Sequence, residues 1–72
     1  MITIDFHGWR FEEALNEVAR IIGEVRLAGS TEEVKFITGH GVLKYAIRDE
    51  LRTYGLMTPT DISSPYMMVN VE

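Results

Sequence analysis

The hydrophobic period of this chain switches in a definite order along its length, and that order leaves few folds open. Ile2, Ile4 and Phe6 alternate with Thr3 and Asp5, the period-two pattern of a strand with one covered face. From there the apolar residues fall at Phe11, Ala14, Leu15, Val18, Ile21, Ile22 and Val25. That spacing is helical, and Glu12 and Glu13 suit the positive end of the helix dipole. The helix is expected to run to about Ala28, with Gly29 as its C-terminal cap and Ser30-Thr31 as a short turn. No Ser, Thr, Asp or Asn sits just before Phe11; Arg10 takes the capping position, so a weaker start is expected. Glu33 to Thr38 reads as a second strand and Gly39-His40-Gly41 as a turn. Leu43, Ala46, Ile47, Leu51 and Tyr54 then mark the apolar side of a second helix, which Gly55 ends.

Beyond Leu56 the pattern is interrupted by Pro59 and Pro65. Proline offers no N–H to a ladder, so a third strand near Pro59 is expected to be irregular or to lie at an edge. Met67, Val69 and Val71, alternating with Met68 and Asn70, predict a last strand with one buried face. The order βαβαββ describes a two-layer α+β sandwich on a four-stranded mixed sheet, with residues 1–72 as a single domain. Crossovers between parallel strands share one hand, so the loops after the first two strands should open at the same edge of the sheet. His7-Gly8 and Thr38-Gly39-His40-Gly41 become neighbours on this reading.

Size and charge narrow the function classes. A chain of 72 residues buries only about 60% of its unfolded surface, so its core must be economical. Hydrophobic residues at 46% and charged residues at 25% are a globular balance, not that of a disordered chain. Without cysteine there is no disulfide framework or zinc-thiolate site. No basic region followed by an apolar run opens the sequence, and no stretch nears the roughly 18 apolar residues of a membrane helix. A soluble, cytoplasmic protein without a membrane partner is expected. A net charge of −4 speaks against coating nucleic acid by bulk attraction. The charge is uneven: Met1 to Val34 holds three basic and seven acidic residues, Lys35 to Arg52 four basic and two acidic. Any phosphate-facing surface belongs to that middle segment.

Ile4-Asp5-Phe6-His7-Gly8, followed by a helix opening Phe11-Glu12-Glu13-Ala14-Leu15, resembles the Leu-Asp-x-His-Gly signature of Smr (small MutS-related) domains. Thr38-Gly39-His40-Gly41 matches their Thr-Gly-x-Gly motif, and Leu43 to Leu51 resembles the helix that follows it. The resemblance implies a fold like the C-terminal domain of translation initiation factor three and an activity that nicks DNA or cuts RNA. Some relatives act on stalled ribosomes and their messages. The chain departs from the pattern at Ile4 in place of Leu, at His40 in place of a frequent Lys, and in a shorter segment after Gly41. Those departures bear on phosphate binding more than on the fold.

Each candidate residue has a chemical and a plain structural reading. A histidine exchanges protons near neutral pH, so His7 is the choice for a general base acting on a ribose 2′-hydroxyl or a water; a histidine bonded to backbone at a strand end is the alternative. Asp5 shares its strand face, with Cα atoms about 7 Å apart by the rise of a strand. It could orient His7, help hold a divalent cation such as magnesium, pair with Arg10, or simply be solvated. The Gly39-His40-Gly41 turn offers backbone N–H groups at a helix N-terminus, where a phosphate could sit, although glycines also serve strand-to-helix turns for conformation alone. Thr38 belongs to the same motif. His40 could be a second proton carrier, a stacking surface or an exposed side chain. Lys44, Arg48 and Arg52 recur every four residues as a ridge beside the apolar stripe of the second helix, either to meet phosphates or as a solvated face balanced by Asp49 and Glu50. Trp9 could stack on a base or cover the first helix.

With the Smr resemblance, the expected function is that of a small stand-alone endonuclease, with RNA preferred over branched DNA. The residues expected to carry it are His7 and Asp5 as the catalytic pair, with Trp9, Thr38, Gly39, His40, Gly41, Lys44, Arg48 and Arg52 as the candidate nucleic-acid contacts. The alternative is a non-catalytic module that binds RNA, a ribosome or a protein through the same loop edge.

Overall fold

The elements follow in the order β1 (Ile2–Asp5), α1 (Phe11–Leu27), β2 (Glu32–Ile37), α2 (Val42–Thr53) and β3 (Tyr66–Val71), in a computed structural model that describes residues 1–60 and 63–72. β1 pairs with β2 in parallel, Ile2 opposite Val34 and Asp5 opposite Ile37. β3 pairs with β2 antiparallel, Val34 opposite Val69 and Ile37 opposite Tyr66. The described residues thus form a three-stranded mixed sheet in the order β1-β2-β3. The four-stranded sheet expected from the sequence is not found there: Leu56 to Thr60 carry no strand, and positions 61 and 62 lie outside the described residues. Pro59 accounts for part of this, since it has no N–H to give a neighbouring strand.

Period-two alternation sends one side of every strand inward. Val34 and Phe36 of β2 and Met67, Val69 and Val71 of β3 are buried, joined by Phe6 and by the half-buried Ile2 and Ile4. Ala14, Val18, Ile21, Ile22 and Val25 of α1 and Ile47 and Leu51 of α2 close over that side. Both helices share one core with one sheet face, which makes two layers. The other face carries Thr3, Asp5, Lys35, Ile37, Tyr66 and Met68, and among the described residues no helix covers it. Phe11, placed by its spacing at the head of the α1 stripe, is exposed instead.

The helix ends follow the sequence closely. At α1, Gly29 N–H donates to the Arg26 carbonyl and Ser30 N–H to the Val25 carbonyl; at α2, Gly55 donates to Arg52 and Leu56 to Leu51. Each is a Schellman closure, and at α2 buried Leu56 lies against buried Leu51. At the start of α1 the Arg10 side chain has no acceptor to offer, but the Glu13 carboxylate accepts the Arg10 N–H at 3.1 Å, half of a capping box. On the exposed side of α1, Arg20 donates to Glu17 at 2.8 Å and to Glu24 at 2.7 Å. The hydrogen bond from Arg20 holds the Glu17 carboxyl below the usual carboxylate range, against a smaller upward push from burial.

Candidate functional site

Parallel pairing of β1 and β2 brings their C-terminal ends to one rim. The ladder runs one step past β1, with the Phe6 N–H donating to the Ile37 carbonyl at 3.0 Å. The chain then turns: the Trp9 N–H returns to the Phe6 carbonyl at 3.0 Å, and Gly8 takes a φ of 78°. A side chain is strained in that left-handed region, so this turn needs the glycine of the motif. Opposite it, Gly39 leaves β2 with a φ of 71°. Between the two turns lies a cleft of about 380 Å³ lined by Asp5, Phe6, His7, Gly8, Ile37, Thr38 and Gly39. The expected convergence of the two motif loops is present, and His7 is exposed there.

Asp5 does not reach for the imidazole. Its Oδ1 accepts the backbone N–H of His7 at 2.9 Å, a local bond that shapes the turn carrying His7. Trp9 is 39% exposed and stands edge-on to Phe6, 5.2 Å between ring centroids at 89°, while Phe6 stacks on Phe36 at 6.2 Å. Trp9 therefore covers the rim end of the core and lies outside the cleft lining.

The glycine-rich turn is only partly open to a ligand. The Thr38 and Gly39 N–H groups both donate to the Pro65 carbonyl at 2.8 Å, and the Thr38 hydroxyl donates to the Gly39 carbonyl at 3.0 Å. Those amides, expected to face a phosphate, are instead joined to the segment entering β3. His40 and Gly41 are exposed, and among the described residues no acceptor takes their N–H groups. Gly41 is the N-cap of α2; the Lys44 N–H donates to the Gly41 carbonyl at 3.2 Å, which leaves the amides of Val42 and Leu43 as those of the first turn without a partner among the described residues.

The expected basic ridge is corrected by the structure. Lys44 is 3% exposed, and its Nζ donates to the Ser64 carbonyl at 3.3 Å. Arg52 Nε donates to the Thr58 hydroxyl at 3.1 Å. The flank of α2 that spacing left beside the apolar stripe is thus covered at Lys44, while Arg52 stays exposed. Arg48 is half-buried, with its guanidinium carbon 5.4 Å from the centre of the Tyr45 ring and Asp49 only 3.8 Å from its Nε. That Nε is buried without a hydrogen-bond partner among the described residues.

A larger recess of about 550 Å³ lies at the start of α1 between Arg10, Phe11, Glu12, Glu13 and Asn16. Its two carboxylates repel an anionic strand, and neither the His7-Gly8 nor the Thr38 to Gly41 loop lines it, so the smaller rim cleft is the candidate site. Asp5 is the acidic residue in the lining of that cleft. Among the described residues no group of three or more His, Cys, Asp or Glu converges as a metal cage would require. No described helix is long and apolar enough to cross a membrane.

Sequence reasoning passed over Pro65, whose carbonyl gathers the Thr-Gly turn, and Ile37, which lines the cleft. The period-two pattern of β2 already placed Ile37 on the face of Asp5; nothing local marked Pro65 as an acceptor. Comparison with known proteins finds no match among curated proteins and none among solved structures. The Smr domain family profile matches residues 4–63, a span that contains both motif loops, both helices and the cleft between them. By that match the chain belongs to the Smr domain family.

Proposed function

We propose that this chain cleaves phosphodiester bonds in nucleic acid, with RNA preferred over branched DNA, and that residues 1–72 act as one domain with the likeness to translation initiation factor three noted above. Membership of the Smr family supports a nucleic-acid-related function. The observation that carries the finer reading is the exposed His7 beside the Thr38-Gly39 turn in one rim cleft. His7 takes the proton of a ribose 2′-hydroxyl; the O2′–P bond forms as the P–O5′ bond breaks, and O5′ leaves with a proton from water. The products are a 2′,3′-cyclic phosphate and a 5′-hydroxyl. The amides of His40, Gly41, Val42 and Leu43 take the phosphate, where the helix dipole favours an anion. Arg48, held against Tyr45, is the cation that α2 contributes on this reading.

Asp5 acts through the turn that presents His7. Magnesium keeps most of its waters and takes one or two carboxylates plus substrate phosphates. Asp5 alone in the cleft is a thin donor set for a resident ion, and no step above runs through a metal. The test is cleavage of end-labelled RNA and of the same sequence as DNA, in EDTA, by the wild type and by His7→Ala. Loss of a general base should slow RNA cleavage by roughly 10²- to 10⁴-fold, and a single 2′-deoxy substitution at the cut should block it. Equal cleavage by both proteins would remove His7 from the mechanism.

A second reading, a module that binds without cutting, is favoured by the commitment of cations to the protein's own oxygen atoms. Lys44 holds Ser64 and Arg52 holds Thr58, while the Asp5 carboxylate serves a backbone amide. Salt-dependent RNA binding that is lost in Arg48→Glu, with no cleavage in EDTA or in magnesium, selects this reading.

A further inference from the structure

We propose that the open face of the sheet beside the rim is a stacking platform for one unpaired nucleobase, with Tyr66 as the ring that takes it. The ligand class is single-stranded nucleic acid. This inference rests on the rim cleft being the nucleic-acid site, and it adds what lies next to that cleft.

Strand register places the platform. Asp5, Ile37 and Tyr66 stand side by side across the three strands in the last paired row before the rim. Asp5 and Ile37 already line the cleft, so the cleft opens onto this face. Neighbouring strands lie about 4.8 Å apart, which puts Tyr66 roughly 10 Å from Asp5, within reach of an adjacent nucleotide. The spacing is also held firmly. Tyr66 follows Pro65, whose carbonyl is bound at 2.8 Å by the amides of both Thr38 and Gly39. The ring is therefore tied to the turn that lines the cleft.

The chemistry suits a base better than an apolar partner. Tyr66 is 40% exposed, and the Lys35 ammonium stands 4.5 Å from its ring centre. Tyrosine orders few torsions on binding, and the cation over one face of the ring restrains it in place, so the base takes the opposite face. Met68, also partly exposed, is opposite Lys35 and extends the apolar floor. Asp5 and Glu33 on the same face disfavour a phosphate lying flat on the sheet, so the backbone of a bound strand keeps to the rim and the base enters the face. A duplex cannot use such a ring without unstacking a base. Tyr66 also lies beyond residues 4–63, the span matched by the Smr profile, so the family match assigns it no role.

The experiment measures fluorescence anisotropy of a short fluorescein-labelled single-stranded RNA, of the same strand with one abasic position moved along it, and of its blunt duplex. The proteins are wild type, Tyr66→Ala and Tyr66→Phe, checked for folding by thermal melting; Tyr66→Leu replaces Tyr66→Ala if the latter does not fold. Tyr66→Ala or Tyr66→Leu should weaken single-strand binding by about 5- to 150-fold, with Tyr66→Phe close to wild type. One abasic position should reproduce the loss in wild type and add nothing in Tyr66→Ala. Unchanged binding by Tyr66→Ala, an equal loss in Tyr66→Phe, or tighter binding of the duplex would overturn the platform. Cleavage assayed in parallel separates the two ideas. Tyr66-dependent binding without His7-dependent cleavage keeps the platform and rejects the nuclease; His7-dependent cleavage with no effect of Tyr66 does the reverse. No binding by wild type overturns both.

Discussion

Replacing Gly8 by alanine isolates the backbone contribution of the His7 turn. Gly8 has a φ of 78°, and a Cβ built there meets no atom within 4 Å, so the penalty comes from the peptide conformation and not from a clash. A side chain held in the left-handed region costs roughly 1–2 kcal/mol. Alanine also narrows the unfolded ensemble, which offsets about 0.4–1 kcal/mol of that cost. Gly8→Ala should therefore destabilise the domain by about 1 kcal/mol, a fall in Tm of about 4–8 °C at this chain length. Gly8→Asn should lose less, because asparagine visits this region more readily. Urea and thermal unfolding followed by circular dichroism measure the stability, and cleavage assayed well below Tm measures the site. Activity should fall further than stability if the turn aims His7. Wild-type stability in Gly8→Ala would refute the turn as described; a loss beyond about 3 kcal/mol would mean that the added methyl meets a neighbour after all.

Asp5→Asn keeps an oxygen that can accept the His7 N–H and should preserve most activity, whereas Asp5→Ala should lose it; equal loss in both would show that the carboxylate charge, and not the turn, matters. Lys44→Glu should act on the fold, lowering stability by roughly 3 kcal/mol in urea titration because it buries a carboxylate against the Ser64 carbonyl; a fully stable variant with altered salt dependence of RNA binding would contradict this. The Glu17 carboxyl, followed by NMR, should titrate below its usual value and return toward it in Arg20→Gln. Its folded value is depressed, so its contribution to stability is complete above the unfolded value near 4.5 and is lost as pH falls through the folded one. A Glu17 titration unmoved by Arg20→Gln would rule out that hydrogen bond as the cause.

What could be read from the sequence divides along the range of the interactions involved. Strand faces, helix stripes and the glycine caps at Gly29 and Gly55 depend on neighbours within a few residues, and β1, α1, α2 and β3 follow their periods closely. The meeting of His7 with Thr38-Gly39 was also legible, because parallel pairing alone brings those loops to one rim. Lys44 shows where this stops. Its helical position was right, but whether that flank of α2 meets water depends on the return of the chain toward β3, and Pro59 and Pro65 interrupt any period there. The same limit hid the use of the Thr38 and Gly39 amides, since an acceptor 27 residues away leaves no local trace. Asp5 is the subtler case: its strand face was correctly assigned, yet a backbone amide two residues on is nearer than any imidazole nitrogen has to be.

The shared acceptor at Pro65 makes the geometry of the rim depend on β3 as well as on the two motif loops. A chain emerging from its point of synthesis with β1, β2 and α2 already formed holds both motifs, but the Thr38 and Gly39 amides find their common carbonyl only when β3 docks. The assembled edge therefore takes in the segment that enters β3, which neither motif contains.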